Sequence, residues 1–448
     1  MTMFSIGGMR GFLASSIGVT CAAALALPLT LPAAAAPTKA PARAAQPTSG
    51  ARSVPTAAEP DLPGSTQSLP LAPTTRDRTL GAAPEQGLTR DDVHRFALVG
   101  VTWTDPDTEL RGRVQVRTRA TGTGEWSGWQ DVDTHNEDHG ADPGTAERDS
   151  GRVHGSTAPL WVGDSDAVDV RVRADRGATR AVEPQASALP TGLHLELVDP
   201  GAEPPAAGAR PTARRATVLP LAATELPALS RAATEREAVT MYGRSQPYIG
   251  PRPRIITRRG WGADEKLREK GFVYTKKVKA VFVHHTASGN NYSCPQAPSV
   301  IRGIYRYHVK SSGWRDIGYN FLVDKCGNIY EGRAGGVAKP VQGAHTLGFN
   351  TNSMGIAVLG TFGTAKPSSA AVTAIARLSA WKLGLYGVNP RGKTYLKSGG
   401  GNLYRKGKNV RLNAISGHRD GFATECPGRQ LYGKLGSARS TSARFQGR

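Results

Sequence analysis

Cysteine is scarce in this chain, four among 448 residues, which excludes a dense disulfide framework. Acidic residues are scarce as well, but only in one part. Between residues 251 and 448 there are 8 Asp and Glu against 33 Lys and Arg, whereas the preceding part is slightly acidic and the whole chain carries +21. A domain so poor in carboxylates points to a polyanionic partner: nucleic acid, an anionic membrane or an acidic cell wall. No His-Glu-x-x-His helix is present, which excludes that metalloprotease motif but not a metal site of another kind.

One apolar run, from Phe12 to about Leu31, is long enough to span a bilayer. It follows Arg10 and precedes "PAAAAPTKA", the basic, apolar and small-residue order of a secretory signal peptide, expected over 1–36. A transmembrane anchor is the competing reading. The alanine-rich, weakly apolar run and the Ala-Ala-Ala before Pro37 favour cleavage, and Thr20 before Cys21 makes a poor lipidation site. A secreted, wall-associated monomer is expected, with no stable membrane anchor after cleavage and no nucleic-acid partner. Export leaves Cys294, Cys326 and Cys426, an odd number in an oxidising compartment. One pair can bridge, and one thiol is left over.

Residues 37–91 are rich in Ala, Pro, Thr and Ser and read as a disordered linker. From 92 to 199 the pattern becomes short runs of period two, such as "FALVGVTW", "RVQVRTRA", "AVDVRVRA" and "LHLELV", which predict a small β-sandwich-like domain. Trp126 and Trp129 in "GEWSGWQDV" could form a sugar-stacking platform, although tryptophans in a small sheet are more often core. Residues 200–250 read as a second linker. The region 251–436 alternates strand and helix periods, as in an α/β domain with a mixed central sheet flanked by helices. "VKAVFVHHTA" and "SMGIAVLGTF" are buried strands, "APSVIRGIYRYHV" and "SSAAVTAIARLSAWKLGLYG" are helices, and "GYNFLVDKCGNIYEGR" is a hairpin. "NVRLNAISGH" is a last strand. The lysine-rich 387–409 stretch reads as a mobile insertion suited to anionic wall polymers, and 437–448 as a basic tail.

Five of the ten histidines, His284, His285, His308, His345 and His418, lie in the α/β region. His284, His285 and His418 fall at the C-terminal ends of predicted strands. Zinc takes His nitrogen and Cys sulfur, and a catalytic zinc keeps three protein ligands and one open position. Two strand-end histidines and one unpaired cysteine would supply such a set. The residues alone do not choose between His284 and His285.

Four ordered motifs, "VFVHHTA", "GWRDIGYNFLVDKCGNIYEGR", "GAHTLGFNTNSMGIAVLG" and "GHRDGFATECPG", resemble the zinc-dependent type 2 N-acetylmuramoyl-L-alanine amidases and the peptidoglycan recognition proteins that share their fold. The resemblance covers roughly 252–436. It implies one Zn²⁺ held by His284, His418 and Cys426, with Tyr319 beside it as a catalytic hydroxyl and Thr424 as an auxiliary to an oxyanion. It also implies peptidoglycan or muropeptides as partner, and hydrolysis of the amide joining N-acetylmuramic acid to L-alanine. With Cys426 committed to metal, Cys294 and Cys326 are the pair left for a disulfide, which export favours over two free thiols.

Other readings stand beside these. His308 is either a satisfied core histidine or a substrate-binding groove residue, and His345 a core residue or one on the substrate-contacting rim. Asp316 and Glu331 could be proposed as a glycosidase acid pair, which nothing else supports. The whole domain could also be a non-catalytic peptidoglycan-binding module, a reading the retained Cys426 and Tyr319 oppose.

Overall fold

The computed structural model describes residues 64–74, 84–175, 188–202, 223–243 and 246–448. The expected signal peptide, 1–36, lies outside them, as do large parts of both expected linkers. Among the described residues, no helix is long and apolar enough to cross a membrane.

The N-terminal domain is a nine-stranded β structure built around the 15-residue strand Leu160–Ala174. Its first part pairs antiparallel with Phe96–Trp103, and its second part lies between Glu85–Arg90 and Gly112–Ala120. Alternate residues Val114, Val116, Val168, Val170 and Val172 point into one apolar core with Phe96, Leu195 and Leu197. The period-two reading of 92–199 holds, but its N-terminal boundary does not. Ser65–Pro70 pairs along the whole of His194–Asp199, and Glu85–Arg90 along Leu160–Ala174, so strands occur inside the expected 37–91 linker. Both strands have few apolar residues, and Ser65–Pro70 lies at a sheet edge. Partners distant in sequence stabilise them, and local composition carries little sign of that. Trp126 is 38 % exposed and stacks near Arg117, and Trp129 lies between Arg117 and Arg171, so neither belongs to the core.

The C-terminal domain is a mixed seven-stranded sheet in the order Glu225–Leu226, Ile255–Ile256, Ile329–Glu331, Phe321–Val323, Ser353–Val358, Ala280–His285, Ile415–Gly417. The last three run parallel to one another, with Val283 level with both Ile356 and Gly417. One face packs on the helices Ser369–Leu385 and Leu435–Gln446. Ser368 caps the first, its hydroxyl accepting from Ala371 N at 3.0 Å, and Trp381, Leu378 and Ile375 bury its inner side. The expected basic tail is the second of these helices: Ser442 donates to Ala376 O and Gln446 to Ala380 O. Arg231–Tyr242 is helical within the expected 200–250 linker. The expected mobile insertion contains Lys393–Lys397, which pairs with Asn409–Asn413 as a two-stranded ribbon.

The other face of the sheet packs on the helix Ala297–Arg306, and here the two domains fuse. Ala97, Leu98, Trp161 and Val198 of the β domain share one apolar cluster with Ile301, Ile304, Tyr305 and Tyr307. Tyr307 Oη donates to Thr157 O at 3.1 Å, and it passes so close to Gly100 that a Cβ there would lie 2.3 Å from the hydroxyl. Glycine at 100 is what lets the domains approach this closely. Cys294 and Cys326 are bridged, with Cα atoms 6.2 Å apart.

Candidate metal centre

The strand Ala280–His285 alternates its side chains, so Val281 and Val283 enter the helix-packed core while His284 points to the opposite face. Ile415–Gly417 runs alongside and delivers His418 one residue past its end. The loop that follows closes on itself: Gly421 N–H donates to His418 O at 2.8 Å, and Arg419 N–H to Cys426 O at 3.1 Å. Asp420 pins it further, accepting from Gly417 N and from the Tyr432 hydroxyl. Gly428 turns the chain out with φ of 82°, where a Cβ would meet Phe362 C at 2.4 Å. The loop thereby brings the thiol back to the histidine that started it.

His284 Nδ1 and His418 Nδ1 face each other at 3.1 Å, and Cys426 Sγ lies 3.8 Å from His284 Nδ1. For metal–nitrogen bonds of about 2.0–2.1 Å and a metal–sulfur bond of about 2.3 Å, the edges of a tetrahedron are about 3.3 and 3.6 Å. The donor set therefore fits a zinc-sized ion. His285 lies outside this cluster, its Nδ1 accepting from Phe362 N at 3.2 Å. Burial, aided by the neighbouring histidines, holds His284 well below the usual imidazole range; burial also takes His418 down to about 3, against an opposing pull from Asp138. Neutral rings are what a metal requires. Burial pushes the Cys426 thiol well above its usual value, with Asp138 adding to the effect.

Tyr319 lies against this set, its ring 5.5 Å from that of His284, and burial keeps its hydroxyl protonated. Thr424 Oγ1 accepts from Cys426 N at 3.1 Å, so it orders the ligand loop. His308 sits in the π-turn Tyr307–Ser311, stacked on Trp314 and accepting from Gly318 N at 3.3 Å, behind Tyr319. His345 is fully buried behind His284, not on a rim. Its Nδ1 is 3.0 Å from Thr346 Oγ1, which lies 3.4 Å from His284 Nε2. That relay sets the orientation of His284 and leaves Nδ1 to the cluster. Asp316 is paired with Arg258 and accepts from Ile317 N and Ala334 N, while Glu331 accepts from Arg258 N. Both carboxylates hold the fold and do not face each other across an open cleft.

One member of the cluster comes from the other domain. His139, on the loop after Gln130–Val132, places a ring nitrogen among those of His284, His418 and Cys426, all four donors lying within 4.8 Å of one another. Sequence reasoning missed it. The only local sign was the histidine- and acid-rich run "DTHNEDHGAD", compositional and outside the α/β motifs.

Residues 274–429 match the N-acetylmuramoyl-L-alanine amidase family model, and residues 52–191 match a model described as an Rv3811 N-terminal galactose-binding domain-like unit. Peptidoglycan-recognition protein SC2 of Drosophila melanogaster is 31 % identical over 183 residues, 40 % of this chain and 84 % of that protein. This chain belongs to the type 2 amidase and peptidoglycan recognition family. Human peptidoglycan recognition protein 3 is 37 % identical over 122 residues, 27 % of this chain and 34 % of its own length. The solved structure titled Drosophila PGRP-LB wild-type is 28 % identical, covering 41 % of this chain and 92 % of its own, with a TM-score of 0.33. The amidase match contains His284, Tyr319, His418 and Cys426; His139 falls in the other one.

Proposed function

We propose that this family member is a secreted, wall-associated, zinc-dependent hydrolase that cleaves the amide between N-acetylmuramic acid and the L-alanine of the stem peptide. The observation that supports this best is Cys426, a buried thiol in ligand range of two neutral strand-end histidines and next to a protonated Tyr319. A module that only binds peptidoglycan has no use for a buried, unbridged thiol in that position.

Bound at His284, His418 and Cys426, zinc would supply a Lewis acid for an amide carbonyl and would acidify water to a pKa of about 7. The chain does the rest. His345 and Thr346 fix the ring of His284, and the Arg419–Cys426 backbone bond fixes the thiolate. Tyr319, neutral because it is buried, donates its hydroxyl proton in a hydrogen bond to the carbonyl oxygen as negative charge develops there. The amino group of L-alanine leaves and the lactyl carboxylate remains on the sugar. The excess of cations between 251 and 448 would hold the domain on anionic wall polymers.

The test is Cys426→Ala. Metal content should fall from one per chain to near zero, and release of stem peptides from purified peptidoglycan should stop. A metal-free variant with unchanged turnover would refute the metal mechanism.

A further inference from the structure

We propose that residues 133–157 are a built-in plug that keeps this enzyme latent, with His139 as a fourth donor that closes the metal site. The inference rests on the amidase reading above and adds to it that the domain in front of the catalytic unit shuts the unit off.

His139 is buried, and Asp138 Oδ1 accepts from its Nδ1 at 2.5 Å. That bond fixes the tautomer and leaves Nε2 with its lone pair free. Nε2 is buried with no hydrogen-bond partner, and the His139 ring belongs to a cluster of nitrogen and sulfur donors. A carboxylate behind a histidine, with the distal nitrogen unpartnered, is the arrangement of a metal-ligating histidine. Three ligands leave a zinc site open for chemistry, whereas a fourth makes it closed.

The segment around His139 is clamped in place. Leu347 N–H donates to Asp138 O at 2.9 Å, and Gly348 N–H donates to Asp142 Oδ1 at 2.8 Å. Arg333 grips Glu147 through two bonds of 2.7 and 2.9 Å, both side chains buried. His154 N–H donates to Ser312 O at 3.1 Å. The cleft left between Tyr319, Cys426 and His139 measures about 10 Å³, room for a single water and far too small for a muropeptide. Residues 131–149 carry seven carboxylates and one arginine, so an acidic segment covers the active face of a basic domain.

The full chain loaded with Co²⁺ in place of zinc tests this through its visible spectrum, with azide and acetohydroxamate as exogenous ligands. The wild-type spectrum should be four-coordinate and unmoved by either ligand. His139→Ala should keep one metal per chain, shift its spectrum on adding either ligand, and hydrolyse muropeptides at least about tenfold faster with zinc, since the competent fraction is no longer limiting. Free imidazole should reverse both effects. Glu147→Gln, which leaves His139 intact but loosens the clamp, should raise hydrolysis by a smaller factor. A wild-type spectrum that responds to azide as His139→Ala does would overturn the plug. So would loss of metal from a folded His139→Ala, because His139 would then be a structural ligand. Spectra as expected with no hydrolysis by any variant would leave the plug standing and refute the amidase reading instead.

Discussion

The two domains bring histidines to one centre by different routes. In the C-terminal domain, His284 and His418 leave adjacent parallel strands in register, and a self-closed loop returns Cys426 to them. In the N-terminal domain, His139 sits on an irregular loop whose position depends on bonds to the other domain, such as Asn350 Nδ2 to Gly140 O at 2.8 Å. The first set is preorganised by a sheet. The second is only as firm as the docking. A centre of this kind can be taken apart from one side, which is what a reversible block on a hydrolase requires.

Four measurements would break or sharpen that contrast. The largest effect is expected at the docking contact: Glu147→Ala leaves Arg333 charged and unpaired in a buried site, which costs about 3–5 kcal/mol. Chemical denaturation should show the β domain and the C-terminal domain unfolding in separate steps, where the wild type unfolds in one. Next, Tyr319→Phe should keep its metal and lower kcat in an opened variant by about 10²–10³, as removal of one oxyanion donor does. An unchanged kcat would return Tyr319 to the core.

His345→Ala should weaken metal affinity by about 10–100-fold without touching substrate directly, read by competition with a chelating dye. A raised KM with normal metal affinity would restore the rim reading. The smallest effect is on pH. His284 and His418 are held neutral down to acidic pH, while the Cys426 thiol keeps its proton through neutrality, so binding the metal has to displace one proton. Affinity should rise about tenfold per pH unit around neutrality, and calorimetry in buffers of different ionisation enthalpy should count one proton released. Two protons, or none, would mean a different donor set.

The C-terminal half of the site was legible because each of its parts is written within a few residues. The "VFVHH" run is valine-rich and fully buried, and the eight-residue step from His418 to Cys426 encodes the loop that closes them together. His345 was found but misplaced, since burial depends on the Thr346 relay and on Phe282 packed against it, neither of which has a sequence period. Ser65–Pro70 and Glu85–Arg90 were missed for a related reason: "STQSLP" and "EQGLTR" become strands by pairing along His194–Asp199 and Leu160–Ala174, far away in sequence. His139 is the extreme case. Its role exists only where two independently patterned domains meet.

The most direct test of the central claim is mass analysis of the products when purified sacculi are digested by the zinc-loaded chain and by His139→Ala. The account predicts new L-alanine amino termini and intact glycan strands, with the variant faster. New reducing sugar ends, or no products from either protein, would contradict it.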